Sequence, residues 1–245
     1  MSNPIQEFIN EREQRIDGFG KNDALRKVAK DFNMESNKAQ YSYNFSWMGR
    51  PIIQYPQDMI AMQELIWDIK PDLIIETGIA HGGSIIYYAS LLELIGKGEV
   101  LGIDIDIRKH NKTEIEKHPM FKRITMIEGS SVIKETIDKV KGHVVGMERI
   151  LVTLDSNHTH EHVLEELKLY APFVSLNSYI VVFDTIVEDL PEGYFPQTRP
   201  WGVGNSPKTA VQEFLNANPD FIIDRNIDHK LLISVAPGGY LKRIK

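Results

Sequence analysis

The stretch from Pro71 to Asp106 constrains the fold more than any other part of this 245-residue chain. It begins with the short apolar run Leu73-Ile74-Ile75, which is typical of a buried strand in a parallel sheet. A glycine-rich turn follows, then an amphipathic helix, and then a second strand that ends at Asp104. An acid at the end of that second strand is typical of a unit that binds a nucleoside through its ribose hydroxyls.

The glycine spacing in this turn discriminates between cofactors. The turn reads E-T-G-I-A-H-G-G-S from Glu76 to Ser84, with glycines at Gly78, Gly82 and Gly83. A dinucleotide site requires G-x-G-x-x-G, so that a pyrophosphate can sit at the helix N-terminus. Here a carboxylate precedes the first glycine, where it would repel a pyrophosphate but support a cationic amino-acid group. The turn therefore favours S-adenosylmethionine (SAM) over NAD, and a turn without any ligand is the alternative.

Strands and helices continue to alternate beyond this unit and predict an α/β fold with a doubly wound, mostly parallel sheet. We predict further strands at residues 123–127, 149–154 and 179–183. Two polar helices are predicted within residues 4–31, divided at Gly18-Phe19-Gly20. Near the C-terminus, polar residues separate two apolar runs, residues 221–223 and 231–235, which predicts a hairpin at the sheet edge.

Composition argues against several classes of protein. The net charge of −6 and the lack of a Lys/Arg run argue against a nucleic-acid-binding surface. The absence of cysteine excludes disulfides and thiolate metal sites. No apolar run approaches the roughly 20 residues of a membrane-spanning helix, and the charged N-terminus lacks the apolar core of a signal peptide. We therefore expect no nucleic-acid partner, no membrane span and a cytoplasmic location.

The length predicts one large domain with an N-terminal addition. We expect residues 1–57 to form a helical and aromatic extension, and residues 58–245 to form the main domain. Residues 32–57 are irregular and aromatic, so they serve either as a substrate lid or subunit contact, or simply as an arm packed over the core. A homo-oligomer is the expected assembly.

Three predicted strands end in an aspartate: Asp104, Asp155 and Asp184. In open α/β sheets, ligands bind outside the carboxyl ends of the strands, and Asp155 and Asp184 follow consecutive strands. Their carboxylates are therefore expected to converge, and oxygen ligands of this kind suit Mg2+. The alternative is that each aspartate caps the segment that follows it.

The run D-S-N-H-T-H-E-H, from Asp155 to His162, adds histidines to the same edge. His158 follows Asp155 by three residues, where a neutral imidazole can take a proton from a hydroxyl that a metal has acidified. His158 and His162 also have the i,i+4 spacing of a zinc pair, and Glu161 adds a carboxylate. No third ligand stands at a diagnostic spacing. We therefore interpret His158 as a general base, and His160 and His162 as surface or supporting residues.

Several segments together carry a family resemblance: IIETGIAHGGSIIYYASLLE, GIDIDIR, KRITMIEGSS, LDSNHTHEHVLEELKLYAPFVS and PGGYLKRI. They resemble the cephalosporin hydroxylase (cephamycin C methoxylation) family of class I SAM-dependent methyltransferases, over roughly residues 58–245. The resemblance implies a seven-stranded, Rossmann-like sheet with an antiparallel final strand, and SAM and Mg2+ as cofactors. With the residue patterns above, it implies Glu76, Gly78, His81, Ser84, Asp104, Ser131 and Asp155 for SAM, Asp155, Asp184 and Thr185 for the metal, and His158 as the catalytic base.

The chain departs from related patterns at the end of the fifth strand. Cephamycin-type members have Glu-Asp there, and catechol-type Mg2+-dependent O-methyltransferases have Asp-Asn, whereas this chain has Phe183-Asp184-Thr185. One metal ligand is therefore open between Thr185, a water, and Asp104 or Asp106.

A loop at residues 187–207 carries Tyr194, Phe195, Arg199 and Trp201, which are suited to close over an acceptor. The alternative is a surface Ω-loop without a substrate role.

We expect a Mg2+-dependent O-methyltransferase that acts on a small polyhydroxylated acceptor, a free or nucleotide-linked sugar of a polysaccharide or natural product. Two other functions stay open: an iron-dependent hydroxylase, and a non-catalytic partner subunit that binds the cofactor only.

Overall fold

The computed structural model describes residues 3–196 and 198–245. Its strands are β1 Phe45–Trp47, β2 Arg50–Ile52, β3 Leu73–Thr77, β4 Glu99–Asp104, β5 Ile124–Glu128, β6 Ile150–Leu154, β7 Tyr179–Val182, β8 Phe221–Ile223 and β9 Tyr240–Arg243. β1 and β2 form a separate hairpin, and the others form a seven-stranded sheet in the order β5-β4-β3-β6-β7-β9-β8. β3 to β7 are parallel, and β9 is antiparallel to both of its neighbours. The predicted doubly wound, mostly parallel sheet is confirmed.

Helices cover both faces of this sheet. They are α1 Pro4–Lys21, α2 Asp23–Lys38, α3 Pro56–Ile69, α4 Gly83–Ile95, α5 Lys109–Glu116, α6 Lys134–Val144, α7 His160–Tyr170, α8 Pro207–Ala217 and α9 Arg225–Leu231. Ile74 packs into one apolar cluster with α3 and α4, whereas Leu73 and Ile75 pack into the other with α6, α7 and α8. Successive residues of a strand face opposite sides, so a strand covered on both faces is apolar throughout. None of the helices in the described part of the chain combines the length and apolar character needed to span a bilayer.

Strand registers bring the candidate site residues to one edge of the sheet. Thr77 pairs with Ile103 on β4 and with Leu154 on β6, and Leu154 pairs with Val182 on β7. These paired residues lie at or next to the carboxyl ends of their strands. The residues that follow are therefore level with one another at the edge where open α/β sheets bind ligands.

The β1–β2 hairpin, which lies in the predicted N-terminal extension, packs directly onto α4. Trp47 Nε1 donates to Ser90 Oγ at 3.0 Å, and the Trp47 ring meets Tyr87 edge-on with centroids 4.9 Å apart. Gly83 faces the hairpin, and a Cβ there would lie 2.1 Å from the carbonyl oxygen of Pro51. Glycine at this position therefore lets the hairpin backbone lie against the first turn of α4.

The break between the two N-terminal helices lies at Asn22, so the prediction of a break at residues 18–20 is wrong. The Asn22 side chain caps α2 by accepting the N–H of Leu25 at 3.0 Å. Gly20 lies inside α1, where a Cβ would come within 2.4 Å of the His229 ring. This glycine permits close packing of α1 against α9, instead of ending the helix.

The second strand of the predicted C-terminal hairpin is also wrong. Residues 225–231 form α9 instead of a loop, and the strand that pairs with β8 is β9 rather than residues 231–235. Asp224 begins α9 because its side chain accepts the N–H of Asn226 at 3.1 Å. The antiparallel final strand that the resemblance implies is present, but it lies closer to the C-terminus.

A buried acid on α3 explains why residues 231–235 do not join the sheet. The Asp58 carboxylate accepts Ser234 Oγ at 2.6 Å, the Val235 N–H at 2.9 Å and Tyr240 Oη at 2.7 Å. Ser234 and Val235 therefore form hydrogen bonds with the Asp58 side chain. In a strand, the backbone would instead form hydrogen bonds with the backbone of a neighbouring strand. Burial is the main cause that raises the pKa of Asp58 to about 6, although the three donors act in the opposite direction.

Candidate functional site

The turn between β3 and α4 requires glycine at its first position. Gly78 has a φ of +93°, and a Cβ there would lie 2.1 Å from the carbonyl oxygen of Asp155. Asp104, at the end of β4, holds the turn, because its Oδ2 accepts the N–H groups of Ile79 at 2.8 Å and Ala80 at 3.1 Å. The turn backbone thus lies against the ends of β4 and β6, and it can approach a ligand closely.

Glu76, on β3 just before the turn, is a buried acid with an unused oxygen. Ser84 Oγ donates to Glu76 Oε2 at 2.7 Å, whereas Oε1 has no hydrogen-bond partner among the described residues. Burial raises the pKa of Glu76 to about 8, and the charge of Asp104 adds to this effect. A cationic group near the turn would stabilise the ionised form. The contact of Glu76 with a cationic amino-acid group stays a prediction.

Three side chains that follow β6 and β7 form one cluster. Ligand atoms of Asp155, His158 and Asp184 all lie within 4.8 Å of one another, and Gln54 Nε2 donates to Asp155 Oδ2 at 3.3 Å. Burial raises the pKa of Asp155 well above its usual range, and the charges of Asp184 and Glu76 raise it further. A bound cation would relieve this repulsion. Two carboxylates and an imidazole are a suitable donor set for a divalent ion.

A cavity of about 220 Å³ joins the turn to this cluster. The predicted site residues that line it are Gly78, His81, Ser84, Asp155, His158 and Asp184. Glu76 lies directly behind one of them, through its hydrogen bond from Ser84. The residues predicted in the glycine turn are therefore brought together with two of the three residues predicted for the metal, Asp155 and Asp184.

Three other predicted residues lie outside this cavity. The Asp104 carboxylate accepts backbone N–H groups, including that of Asp106 at 3.1 Å. Ser131 Oγ lies 3.1 Å from His162 Nε2. Thr185 is fully buried, and its hydroxyl donates to the carbonyl of Pro237 at 3.0 Å. The roles of Asp104, Ser131 and Thr185 toward ligands stay predictions.

A second cavity, of about 480 Å³, meets the first at the cluster. Tyr43, Ile53, His158 and Asp184 line both cavities. Part of its wall comes from the 187–207 loop and includes the four residues predicted to face an acceptor, Tyr194, Phe195, Arg199 and Trp201. The metal-type cluster therefore lies between a cavity at the glycine turn and a cavity lined by aromatic residues.

The 187–207 loop is tied at its base by Glu188. The Glu188 carboxylate accepts the Gly204 N–H at 3.0 Å and Ser206 Oγ at 2.6 Å. Farther out, the Trp201 ring meets the His158 ring edge-on with centroids 4.9 Å apart, and the Arg199 guanidinium lies 4.9 Å from the centre of the Trp201 ring. Gln197, within this loop, lies outside the described residues.

Comparison with known proteins identifies the family. The profile described as Rhamnosyl O-methyltransferase/CmcI matches residues 39–244. The chain belongs to this family. The rhamnosyl O-methyltransferase of Mycobacterium tuberculosis is 31% identical over 203 residues, which cover 81% of this chain and 78% of that protein. The enzyme of the same name from Mycobacterium leprae is 28% identical over 200 residues, which cover 81% and 82%.

Solved structures show the same fold as this member of the Rhamnosyl O-methyltransferase/CmcI family. The apo form of CmcI superposes with a TM-score of 0.60 at 20% identity, over 83% of this chain and 77% of that one. The O-methyltransferase from Bacillus cereus, in complex with S-adenosylhomocysteine (SAH), superposes with a TM-score of 0.53 at 14% identity, over 91% and 92%. The class I methyltransferase fold and the family that the sequence resembles are confirmed.

A buried polar network beside this family member's site was missed by the sequence interpretation. Glu166 on α7 is fully buried and accepts Ser156 Oγ at 2.7 Å. His162 Nε2 lies 3.4 Å from Glu166 Oε1 and 3.1 Å from Ser131 Oγ. One signal was present in the sequence, because Glu166 falls among the apolar positions of α7. An acid on a buried helix face needs polar partners.

The N-terminal segment, for which the sequence left open a substrate lid, a subunit contact or a packed arm, also contributes residues to the site. Tyr43 and Gln54 line the 220 Å³ cavity, together with residues 51–53. The sequence did not assign a ligand contact to any single residue of this segment. They reach the cavity because the hairpin packs on α4.

Proposed function

We propose that this protein is a SAM-dependent, divalent-metal-dependent O-methyltransferase that methylates a sugar hydroxyl. The observation that carries this proposal is the position of the cluster Asp155, His158 and Asp184. It lies where the glycine-turn cavity meets the aromatic-lined cavity. A methyl donor in the first cavity and an acceptor in the second would meet at that cluster.

For the cofactor, we propose that the amino-acid end of SAM lies between Gly78, His81 and Ser84, with its ammonium group near Glu76. We assign Asp104 to the ribose and Ser131 to the adenine. The unpartnered oxygen of Glu76 supports this orientation. SAM supplies an electrophilic methyl group on its sulfonium sulfur. A related CmcI structure carries Mg and SAM.

For the metal, we propose that Asp155 and Asp184 hold Mg2+. Their carboxylates fit a hard divalent cation, and the raised pKa of Asp155 indicates a position that lacks compensating positive charge. The ion would supply positive charge that makes an acceptor hydroxyl more acidic. Thr185 is a weaker candidate than its sequence position suggested, since its hydroxyl already donates to Pro237.

We assign the general base to His158. Its side chain is 18% exposed, lines both cavities, and lies between Asp184 and Trp201. A neutral imidazole there can accept the proton of the acceptor hydroxyl as that oxygen attacks the methyl group. Holding both reactants in adjoining cavities supplies much of the rate by proximity.

For the acceptor, we propose a free or nucleotide-linked sugar. Tyr194, Phe195 and Trp201 offer aromatic surface to a sugar ring, and Lys38 and Arg199 bring positive charge that suits a diphosphate. The relatives from Mycobacterium are named rhamnosyl O-methyltransferases, which makes rhamnose the first sugar to test. A homo-oligomeric state, a cytoplasmic location and a domain boundary at residue 57 stay proposals from the sequence.

The iron-dependent hydroxylase has less support. Such enzymes hold their metal with two histidines and one carboxylate, whereas the cluster found among the described residues has one histidine and two carboxylates. A non-catalytic subunit would have no need for a histidine placed at the junction of two cavities.

A methyl-transfer assay tests the proposal. SAM with a labelled methyl group is incubated with the protein, Mg2+, and either a neutral rhamnoside or a nucleoside-diphosphate-linked rhamnose. We expect labelled, O-methylated sugar, loss of turnover with EDTA, and recovery when Mg2+ is restored. Full turnover after EDTA treatment would overturn the metal's role. Oxidation of the sugar with consumption of O2 would favour the hydroxylase.

A further inference from the structure

Arg50, on the β1–β2 hairpin, binds the backbone of the glycine turn. Its Nε and Nη2 both donate to the carbonyl oxygen of His81, at 2.9 and 2.7 Å. Nη2 also donates to Asn111 Oδ1 at 2.9 Å, and Asn111 Nδ2 donates to the carbonyl oxygen of Ala80 at 2.9 Å. Two consecutive carbonyls of the turn are therefore held, one by a guanidinium and one by a buried amide.

The held part of the turn has an unfavourable backbone conformation. Ala80 has a φ of +45°, in the left-handed region that residues with a Cβ rarely adopt. The N–H groups of Ile79 and Ala80 bond to Asp104, and the carbonyls of Ala80 and His81 bond to Asn111 and Arg50. The turn is thus fixed through its donors by β4, and through its acceptors by the hairpin and α5.

Arg50 is itself held in place, and the described part of the chain brings no carboxylate into an ion pair with it. Pro51, the next residue, lies against Gly83, and Trp47 is anchored to Ser90 on α4. Across the described residues, no carboxylate lies within 4.0 Å of the Arg50 guanidinium. Its charge is therefore directed at backbone carbonyls, and charge-assisted hydrogen bonds of this kind are the stronger ones.

We propose that Arg50, supported by Asn111, is a positioning residue of the cofactor site. It holds the turn at residues 78–83 in its ligand-ready shape before SAM binds, so that binding does not have to order this backbone. This inference rests on the proposed function in one respect, since it takes SAM as the ligand of the turn. It adds a role for the hairpin that neither the glycine motif nor the strand-end acids indicate.

Calorimetric titration with SAH tests the inference on the complete protein. Arg50→Gln removes the charge-assisted bonds that hold the turn, so it should raise the Kd for SAH by roughly 10- to 100-fold, which corresponds to about 1.4–2.7 kcal/mol. Arg50→Lys keeps the positive charge but cannot donate two hydrogen bonds side by side, as the guanidinium does to the His81 carbonyl. Its Kd for SAH should lie between those of wild type and Arg50→Gln. In turnover, the KM for SAM should rise while the KM for the acceptor and kcat at saturating SAM stay within about twofold of wild type.

Arg123 provides the matched control. It also donates to a backbone carbonyl, that of Gly98 at 2.8 Å, and it pairs with Glu93 near the other end of α4, away from the cavities. Arg123→Gln should lower Tm without changing the Kd for SAH.

Each outcome decides the inference. An unchanged Kd in Arg50→Gln, with SAH bound normally by wild type, overturns the positioning role and leaves the proposed function intact. If Arg50→Gln does not fold, the Kd of Arg50→Lys decides in the same way. Failure of wild type to bind SAH overturns the cofactor assignment, and the positioning role with it.

Discussion

His158 Nε2 lies 3.2 Å from Asp184 Oδ2, although the two residues follow different strands. This contact joins the residue assigned as base to a residue assigned as metal ligand. A histidine next to a carboxylate is held in one orientation, and the Trp201 ring, perpendicular to the imidazole, limits its rotation from another side. The geometry therefore favours a fixed imidazole at the junction of the two cavities, which general-base catalysis requires.

Replacement of this histidine should reduce the rate of the chemical step. A positioned general base contributes about 10²–10⁴-fold, so His158→Ala should lower kcat by a factor in that range. The Kd for SAH should change by no more than about twofold, because His158 is not assigned a cofactor contact. Single-turnover kinetics and calorimetry measure the two quantities separately.

His160 is the control for this substitution, because it lies two residues away in the same run. It contacts Thr209 Oγ1 at 2.8 Å and Glu213 Oε2 at 3.1 Å on α8, and it does not line either site cavity. His160→Ala should keep kcat near the wild-type value. Equal kcat in His158→Ala and wild type would remove His158 from the mechanism.

Loss of a cluster carboxylate should abolish tight metal binding. Asp184→Asn should weaken binding of Mn2+, a paramagnetic substitute for Mg2+, by about 100-fold or more, since even outer-shell partners contribute 10- to 100-fold. Electron paramagnetic resonance titration measures free Mn2+ directly. Asp189→Asn is the control, because Asp189 pairs with Lys208 at 2.6 Å and lies outside the cluster. Equal Mn2+ affinity in the two variants would contradict the assignment.

The sequence predicted the parts of this fold that depend on local patterns. Apolar runs and glycine turns marked β3 to β7, and the parallel arrangement brought Asp155 and Asp184 together because their strands are neighbours. The prediction was wrong where a contact between residues distant in sequence determines the local structure. Residues 231–235 look like a strand by composition, but the side chain of Asp58, more than a hundred residues earlier, bonds to them.

The candidate site shows the same division. Gly78 and His158 stand in recognisable motifs, and both line the cavity. Arg50 and Gln54 have no motif, since each acts on a group distant in sequence, the carbonyl of His81 and the carboxylate of Asp155. These contacts form because the hairpin packs on α4, and no local sequence pattern predicts that packing.

Cofactor binding should release a proton from Glu76. Its pKa in the unliganded protein is raised to about 8, mainly by burial, so it is mostly protonated at pH 7. An ammonium group nearby lowers that pKa, so SAH binding at pH 7 should release up to about one proton. Affinity should therefore rise with pH until about pH 8 and then level off.

Calorimetry in buffers with different ionisation enthalpies measures this proton release. The amino group of SAH also titrates, so the Glu76 contribution is the difference between wild type and Glu76→Gln. The variant should bind SAH more weakly and should lose the pH dependence below pH 8. The same proton release in both proteins would place the ammonium group elsewhere.

Asp58 should make stability depend on pH in the direction opposite to a salt-bridged aspartate. Its folded-state pKa is raised to about 6 from an ordinary value of 3.8, chiefly by burial. The folded protein therefore holds this proton more tightly than the unfolded chain does. The resulting stabilisation is complete below about pH 4 and is lost as pH rises through about 6, with an upper magnitude on the order of 3 kcal/mol.

Urea unfolding from pH 4 to pH 7 tests this assignment by comparing wild type with Asp58→Asn. The variant should be less stable at pH 4 by about 1–3 kcal/mol, because its amide has a single acceptor oxygen and cannot accept from Val235 and from both hydroxyls at once. The difference between the two proteins should shrink toward pH 7, because only wild type loses the contribution of Asp58. Tyr240→Phe removes one donor to the carboxylate, which should raise the pKa of Asp58 further and move the loss of stability to higher pH. If wild type and Asp58→Asn gave parallel curves, Asp58 would not titrate in this range, and its carboxylate would be ionised throughout.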